Sequence, residues 1–233
     1  MRPLLLAALA LTATTAAAAG TAHACTLTKE PYAQVLGDAQ ATGDRPLILI
    51  GQLPPDAPWA LTGPSGDVEL ERHDRFVRPR APLDAGAEYR VAVRGGGRDR
   101  VLARFTVAPQ PSAVVPSWRG VDLVRAGLEL PRTTCEAHGF AVTVTVRTTA
   151  GQPRPEGYLY VYDRQPRAAA PLRGLRGIVP SADGELQLGR VGVGLTFEPR
   201  WDAARPPRTV WIALGDAAGH VGKAVAVTLP RRP

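Results

Sequence analysis

Apolar side chains in this chain recur in short runs, alternating with polar residues or rich in β-branched ones, and Gly, Pro or Asp bounds each run. A period of two puts alternate side chains on opposite faces of an extended backbone, so the pattern predicts β-strands. In the first half the strands fall at Leu47-Ile48-Leu49-Ile50, Trp59-Ala60-Leu61-Thr62, Val68-Glu69-Leu70-Glu71, Tyr89-Arg90-Val91-Ala92-Val93 and from Val101 to Val107. The intervening Pro54-Pro55-Asp56, Gly63-Pro64-Ser65-Gly66 and Gly95-Gly96-Gly97 are turn compositions. A proline-bearing stretch, residues 109–117, then interrupts the pattern; its prolines cannot donate to a ladder and stiffen the backbone, as a linker requires.

Beyond the linker the pattern restarts. Strands are expected at Val121-Asp122-Leu123-Val124, from Phe140 to Val146, at Tyr158-Leu159-Tyr160-Val161-Tyr162, at Glu185-Leu186-Gln187-Leu188, from Thr209 to Leu214 and from Ala224 to Leu229. One short helix is expected at Trp201-Asp202-Ala203-Ala204, stopped by Pro206-Pro207. Strand following strand without intervening helices excludes a parallel crossover fold and leaves a sandwich or barrel. Both halves close with a hairpin, through glycines in the first and through Gly215-Asp216-Ala217-Ala218-Gly219-His220 in the second. The expected fold class is therefore all-β, two tandem antiparallel β-sandwiches spanning residues 25–108 and 118–233.

The N-terminal stretch, residues 1–24, has a different character. Arg2 precedes the run Leu4-Leu5-Leu6-Ala7-Ala8-Leu9-Ala10-Leu11, and small residues lead to Ala22-His23-Ala24. The apolar run falls short of the about 20 residues needed to span a bilayer, and the small side chains suit a signal peptidase, so a cleaved secretory signal is expected. Cleavage would leave Cys25 first and take the net charge from +7 to +6. In the periplasm, or outside the cell, Cys25 and Cys135 form the single possible intramolecular disulfide. By the loop-entropy model it would contribute about 4–5 kcal/mol. The rival reading attaches a lipid to Cys25 and brings the protein to a membrane; the preceding Ala22, His23 and Ala24 lack the leucine that lipoprotein signals carry.

The residual basic charge says little about partners. Arginines are interspersed with acids, as in Glu71-Arg72-His73-Asp74-Arg75, with no basic stripe carrying interleaved aromatics, so no nucleic-acid partner is expected. Lysine occurs only at Lys29 and Lys223 and asparagine nowhere, a composition typical of GC-rich coding.

Two segments carry a resemblance. Leu83-Asp84-Ala85-Gly86-Ala87-Glu88-Tyr89-Arg90-Val91 resembles the entry to the penultimate strand of bacterial Ig-like and fibronectin-type domains. In those domains a Tyr hydroxyl bonds back to the loop, which implies a structural corner at Tyr89. Ala213-Leu214-Gly215-Asp216-Ala217-Ala218-Gly219-His220 is similar to their final hairpin turn, with His220 where Asn is usual and the left-handed geometry assigned to that residue. The resemblance implies two Ig-like units, as in exported proteins of GC-rich Gram-negative bacteria. It covers about a tenth of the chain and bears on fold rather than activity.

Candidate chemistry is sparse. Ser65 lies in a turn without the spacing of a nucleophile elbow, so no catalytic residue is assigned and an enzyme is not expected. Cys135-Glu136-Ala137-His138 brings together a thiolate, a carboxylate and an imidazole that a soft metal would accept, with Cys135 and His138 as weak candidate ligands. A disulfide beside a solvated Glu and His accounts for the same residues, and no cofactor is expected. Tyr158, Tyr160 and Tyr162 share one strand face; were Leu159 and Val161 to point inward, the rings would form an exposed row able to pack on a protein or stack on a glycan. Trp118 and Trp201 read as plugs of a junction or core end, and Trp59 and Trp211 as core residues.

The expectation is thus an exported, non-enzymatic binding or structural module of the periplasm or cell surface, its partner an envelope protein or glycan. Two alternatives stand beside it. A two-domain periplasmic assembly chaperone would cap its client by donating an edge strand; a periplasmic metal-binding protein would use Cys135 and His138. The intact mass of the exported protein, measured with and without reductant, should begin at Cys25 and shift only by the hydrogens of one reduced bridge. A mass increment of acyl chains would retire the disulfide.

Overall fold

The computed structural model describes residues 30–37, 43–51, 57–95, 98–109, 118–129, 139–147, 157–167, 170–181, 185–188, 201, 205–217 and 219–230. Among these the chain forms strands and turns and no helix. In the first half β1 (Tyr32–Val35), β2 (Ile48–Gly51), β3 (Trp59–Gly63), β4 (Gly66–Asp67), β5 (Leu70–His73), β6 (Phe76–Pro79), β7 (Glu88–Val93) and β8 (Arg100–Thr106) make two sheets, ordered β4-β3-β7-β8 and β1-β2-β6-β5. In the second half β9 (Gly120–Glu129), β10 (Gly139–Arg147), β11 (Tyr158–Tyr162), β12 (Leu175–Pro180), β13 (Glu185–Leu188), β14 (Thr209–Gly215) and β15 (Val225–Thr228) make two more, ordered β12-β11-β14-β15 and β13-β10-β9. Every strand pair is antiparallel.

Side-chain alternation sorts the apolar residues into three layers. Ile48 and Ile50 of β2, Val77 of β6, Leu61 of β3, Val91 of β7 and Phe105 of β8 fill the space between the two sheets of the first half. Leu159 and Val161 of β11, Ile212 and Leu214 of β14, and Val142 and Val144 of β10 do the same in the second. The third layer comes from the opposite faces of the two inner sheets: Leu49 and Phe76 from the first half meet Tyr160, Tyr162, Leu175, Ile178 and Ala213 from the second. Four sheets are therefore stacked with an apolar layer in each gap. A strand with both faces covered has no use for polar alternation, which is why β2 and β11 read as almost unbroken apolar runs.

Trp118 packs against the second core and Trp201 lies within it, while Trp59 packs on the first core under the Arg72 guanidinium. Trp211 does not join a sandwich interior; it lies against the layer between the halves. Of the short helix expected at residues 201–204 only Trp201 is described, without helical structure, and residues 202–204 and the linker beyond residue 109 lie outside the described residues.

Gly215 shows how closely the β14–β15 turn is packed. A Cβ there would stand 2.7 Å from the carbonyl oxygen of His220 and 2.8 Å from the Tyr160 ring. The left-handed residue of this turn is Gly219, with φ +81°, so the geometry expected of His220 falls one residue earlier, where no Cβ opposes it.

Because adjacent residues of β2 feed different layers, Ile48→Ala and Leu49→Ala should each destabilise by about 2–5 kcal/mol in denaturant unfolding. Val101→Ala, at an exposed position of β8, should stay within about 0.5 kcal/mol. Tolerance of Leu49→Ala would mean that the outer face of this sheet is solvated.

Candidate functional site

The layer between the halves takes in Tyr158, Tyr160 and Tyr162, the tyrosine row singled out in the sequence. Leu159 and Val161 point into the second sandwich, so Tyr158, Tyr160 and Tyr162 do face out of it. They do not meet solvent: Tyr160 and Tyr162 are each 1% exposed and Tyr158 is half-buried. The expected open tyrosine face is corrected on this point, because β2 and β6 of the first half cover it with Leu49 and Phe76. Phenol rings fit this position because each buries a large apolar area and needs only one hydrogen-bond partner at its tip.

For Tyr160 that partner is the Asp216 carbonyl, to which its hydroxyl donates at 2.6 Å. The same carbonyl accepts the Gly219 amide at 3.3 Å. Asp216 Oδ1 accepts the His220 amide and Oδ2 meets His220 Nδ1, both at 2.9 Å. Asp216 thus organises the β14–β15 turn with all three of its oxygens. The turn also reaches the first half: a Cβ on Gly37 would lie 2.7 Å from the Ala217 Cβ, and Gly219 leaves room for the Arg78 side chain.

Arg78 of β6 is the buried cation of this layer, with its side chain only 10% exposed. Its Nη2 meets Glu71 Oε2 across β5 and β6 at 3.1 Å, whereas its Nε has no hydrogen-bond partner among the described residues. An orphaned buried donor costs about 1–3 kcal/mol, so Arg78 is held by the packing around it at a local expense. Burial pushes the Tyr160 hydroxyl well above its ordinary pKa, reinforced by Tyr162, Asp216 and Tyr158 and opposed by Arg78. Burial likewise raises Tyr162, again opposed by Arg78.

At one end of the layer the β5–β6 turn reaches across. Asp74 takes a left-handed conformation, φ 55°, between His73 and Arg75. The Gly174 amide donates to His73 Nε2 at 3.0 Å, and Arg75 Nη2 donates to the Arg176 carbonyl at 3.0 Å. Accepting that bond requires His73 to be unprotonated at Nε2.

Tyr89 lies apart from this layer, in the first core, stacked on Phe105 at 5.6 Å. Its hydroxyl accepts the Asp84 amide at 2.9 Å. Cys25, Cys135, Glu136 and His138 lie outside the described residues. Among those described, no three His, Cys, Asp or Glu side chains gather where a metal ion could be held. Sequence reasoning missed Arg78, Asp216 and His73 as members of one layer. Only the pairing of the halves, which no local pattern encodes, brings them together.

No family model and no curated protein matches the chain.

Tyr160→Phe should cost about 1 kcal/mol by removing the bond to Asp216, and Tyr160→Ala about 3–5 kcal/mol by opening a cavity. Both phenols are neutral in the folded protein and their pKa values are raised. Their stabilisation is therefore fully present below about pH 10, the unfolded value, and is lost as pH rises toward and through the folded values. In a tyrosinate absorbance titration, a Tyr160→Phe, Tyr162→Phe variant should match the parent up to about pH 10.5. A variant that loses absorbance in that range would show these rings to be wet.

Proposed function

We propose that this chain is an exported, non-enzymatic module of the cell envelope that works by binding or by holding structure, built from two Ig-like sandwiches locked into one body. The observation that carries this reading is the apolar layer between the halves. A catalytic cleft between domains requires polar groups converging on a space that substrate can enter. Here the facing side chains are Leu49, Phe76, Tyr160, Tyr162 and Ile178, packed on one another; of the polar groups beside them, Asp216 holds the β14–β15 turn and Arg78 pairs with Glu71 of the neighbouring strand. Rigid spacing of two outer surfaces is what such a junction offers, and it suits a protein that presents a surface to a partner.

The secretory character of residues 1–24 and the resemblance around Leu83 to Val91 support the envelope assignment. The bond from the Asp84 amide to Tyr89 Oη is in keeping with that resemblance. The partner in this reading is an envelope protein or glycan, and the disulfide of Cys25 with Cys135 would tie the start of the mature chain to the second half.

Fractionation of cells producing the full chain, combined with a photo-crosslinker on the exposed face of β8, tests the assignment. The expected result is a processed protein in the periplasmic or surface fraction, crosslinked to one discrete species that is lost on unfolding. Retention in the cytoplasm with residues 1–24 attached, or turnover of ester or glycoside substrates by the purified protein, would overturn it.

A further inference from the structure

A second place in the molecule collects charge without using it. In the described parts of the connection between β11 and β12, residues 163–167 and 170–174, an open hollow of about 470 Å³ is lined by Arg164, Gln165, Pro166, Arg167 and Arg173. That volume lies in the range of small-molecule sites, about 300–1,000 Å³. We infer that this hollow binds an anionic group of the phosphomonoester type carried on a saccharide.

Charge is the first argument. Between Asp163 and Arg176 the sequence carries four arginines, Arg164, Arg167, Arg173 and Arg176, and one acid, Asp163. Asp163 is shared: Arg164 Nε reaches its Oδ1 and Arg176 Nε its Oδ2, each at 2.9 Å. Partial burial pushes the Asp163 carboxyl upward, but the bonds from Arg164 and Arg176 outweigh it and the net shift is downward, so the acid stays ionised. It can neutralise only one of the four cations. Arg167 and Arg173 have no carboxylate partner among the described residues, and both are exposed.

Preorganisation is the second. The loop is closed by an antiparallel bridge of Arg167 with Ala170 and by amide-to-carbonyl bonds from Arg173 to Ala170, Leu175 to Leu172 and Asp163 to Gly174. Pro166 and Pro171 restrict its backbone further. Leu172 anchors it, 3% exposed in the layer between the halves, and the Gly174 amide bonds to His73. Gly174 itself is left-handed, φ +83°, and a Cβ there would stand 2.6 Å from Arg164 Cγ and 2.7 Å from Asp163 Oδ1. The absence of that Cβ lets the Arg164–Asp163 pair lie across the loop. A backbone held in this way spares a ligand the ordering of these segments and leaves only the side-chain rotamers of the exposed arginines to be fixed on binding.

The ligand class follows from donor geometry and size. Guanidinium forks match phosphate oxygens bidentately, and a dianion can engage Arg167 and Arg173 together. A bare phosphate would leave most of the hollow empty, and the Gln165 amide offers a donor and an acceptor to a neighbouring hydroxyl. Free sugar phosphates and the phosphorylated saccharide headgroups of envelope lipids share this chemistry. The inference gives a ligand class to the binding role proposed above, but its test needs only purified protein, so failure here is separable from failure of the envelope assignment.

Calorimetric titration of the mature protein with glucose phosphate, glucose, inorganic phosphate and sulfate reads the site directly. Glucose phosphate should bind at least about tenfold more tightly than inorganic phosphate, with no binding of glucose. Arg167→Gln with Arg173→Gln should weaken binding at least about tenfold, while Arg104→Gln on the exposed face of β8 leaves it unchanged and all variants keep the parent melting temperature. Co-sedimentation with vesicles bearing phosphorylated saccharide headgroups, against phosphatidylglycerol vesicles, separates the sources. Retention on the former alone assigns the headgroup, and soluble binding without retention assigns the free sugar phosphate. Glucose phosphate binding that is absent, or unaffected by the double substitution, overturns the inference; so does inorganic phosphate binding as tightly as glucose phosphate.

Discussion

The structure depends on covering both faces of its two inner sheets. An isolated sandwich needs one apolar face per sheet, and its outer faces can remain polar. In this chain the outer face of β1-β2-β6-β5 carries Leu49 and Phe76, and that of β12-β11-β14-β15 carries Tyr160, Tyr162 and Ile178. Exposed, each would be a contiguous apolar patch of the kind that drives association. Packed together, they remove one another from water at about 25 cal/mol per Å² of apolar area. The halves are consequently joined by the same force that builds each half, and the connecting segment has only to keep them near each other.

Polar groups in such a layer cost least where they find hydrogen-bond partners, and the arrangement here supplies partners to several of them, the Arg78 Nε excepted. Tyr160 reaches the backbone of the β14–β15 turn, Asp216 spends its carboxylate on His220, and Arg78 is matched by Glu71. The crossing bonds of His73 and Arg75 sit at the border, where water can take over if they open. The apolar middle therefore supplies adhesion, whereas the border fixes the angle at which the halves meet. The arginine-rich loop begins at that border, and its attachment through Leu172 and Gly174 ties the geometry of the hollow to the integrity of the layer.

Much of the all-β architecture was legible in the residues. The strand from Tyr158 to Tyr162 and that from Glu185 to Leu188 match their predicted limits, and most others agree to within a residue or two, because alternation is a local signal. Four strands escaped, among them the two-residue β4, Gly66–Asp67, which falls against a turn composition. In β6, Phe76-Val77-Arg78-Pro79, an arginine and a proline disguise a segment buried on both sides; in β12, Leu175 to Pro180, Arg176 and Gly177 do the same. Tyr32 to Val35 is a short edge strand without β-branched residues before its last position. The tyrosine row was read in the right direction with the wrong exposure. Alternation reports which face a side chain occupies, and says nothing of what lies against that face. Nor could the charge hollow be seen along the chain, where Arg164, Arg167 and Arg173 look like three more arginines in an arginine-rich composition.

Ownership of β6 has a further consequence. This four-residue strand contributes Val77 to one interior and Phe76 to the layer shared with the C-terminal half. A chain made from its N-terminus completes β6 long before β11 and β14 exist to shield Phe76. For that interval the first half is a nascent domain with an oily flank, vulnerable to premature contact with other copies of itself. The buried guanidinium of Arg78 on the same flank then acquires a role in time: it interrupts an otherwise continuous greasy surface while the rest of the polypeptide is still arriving.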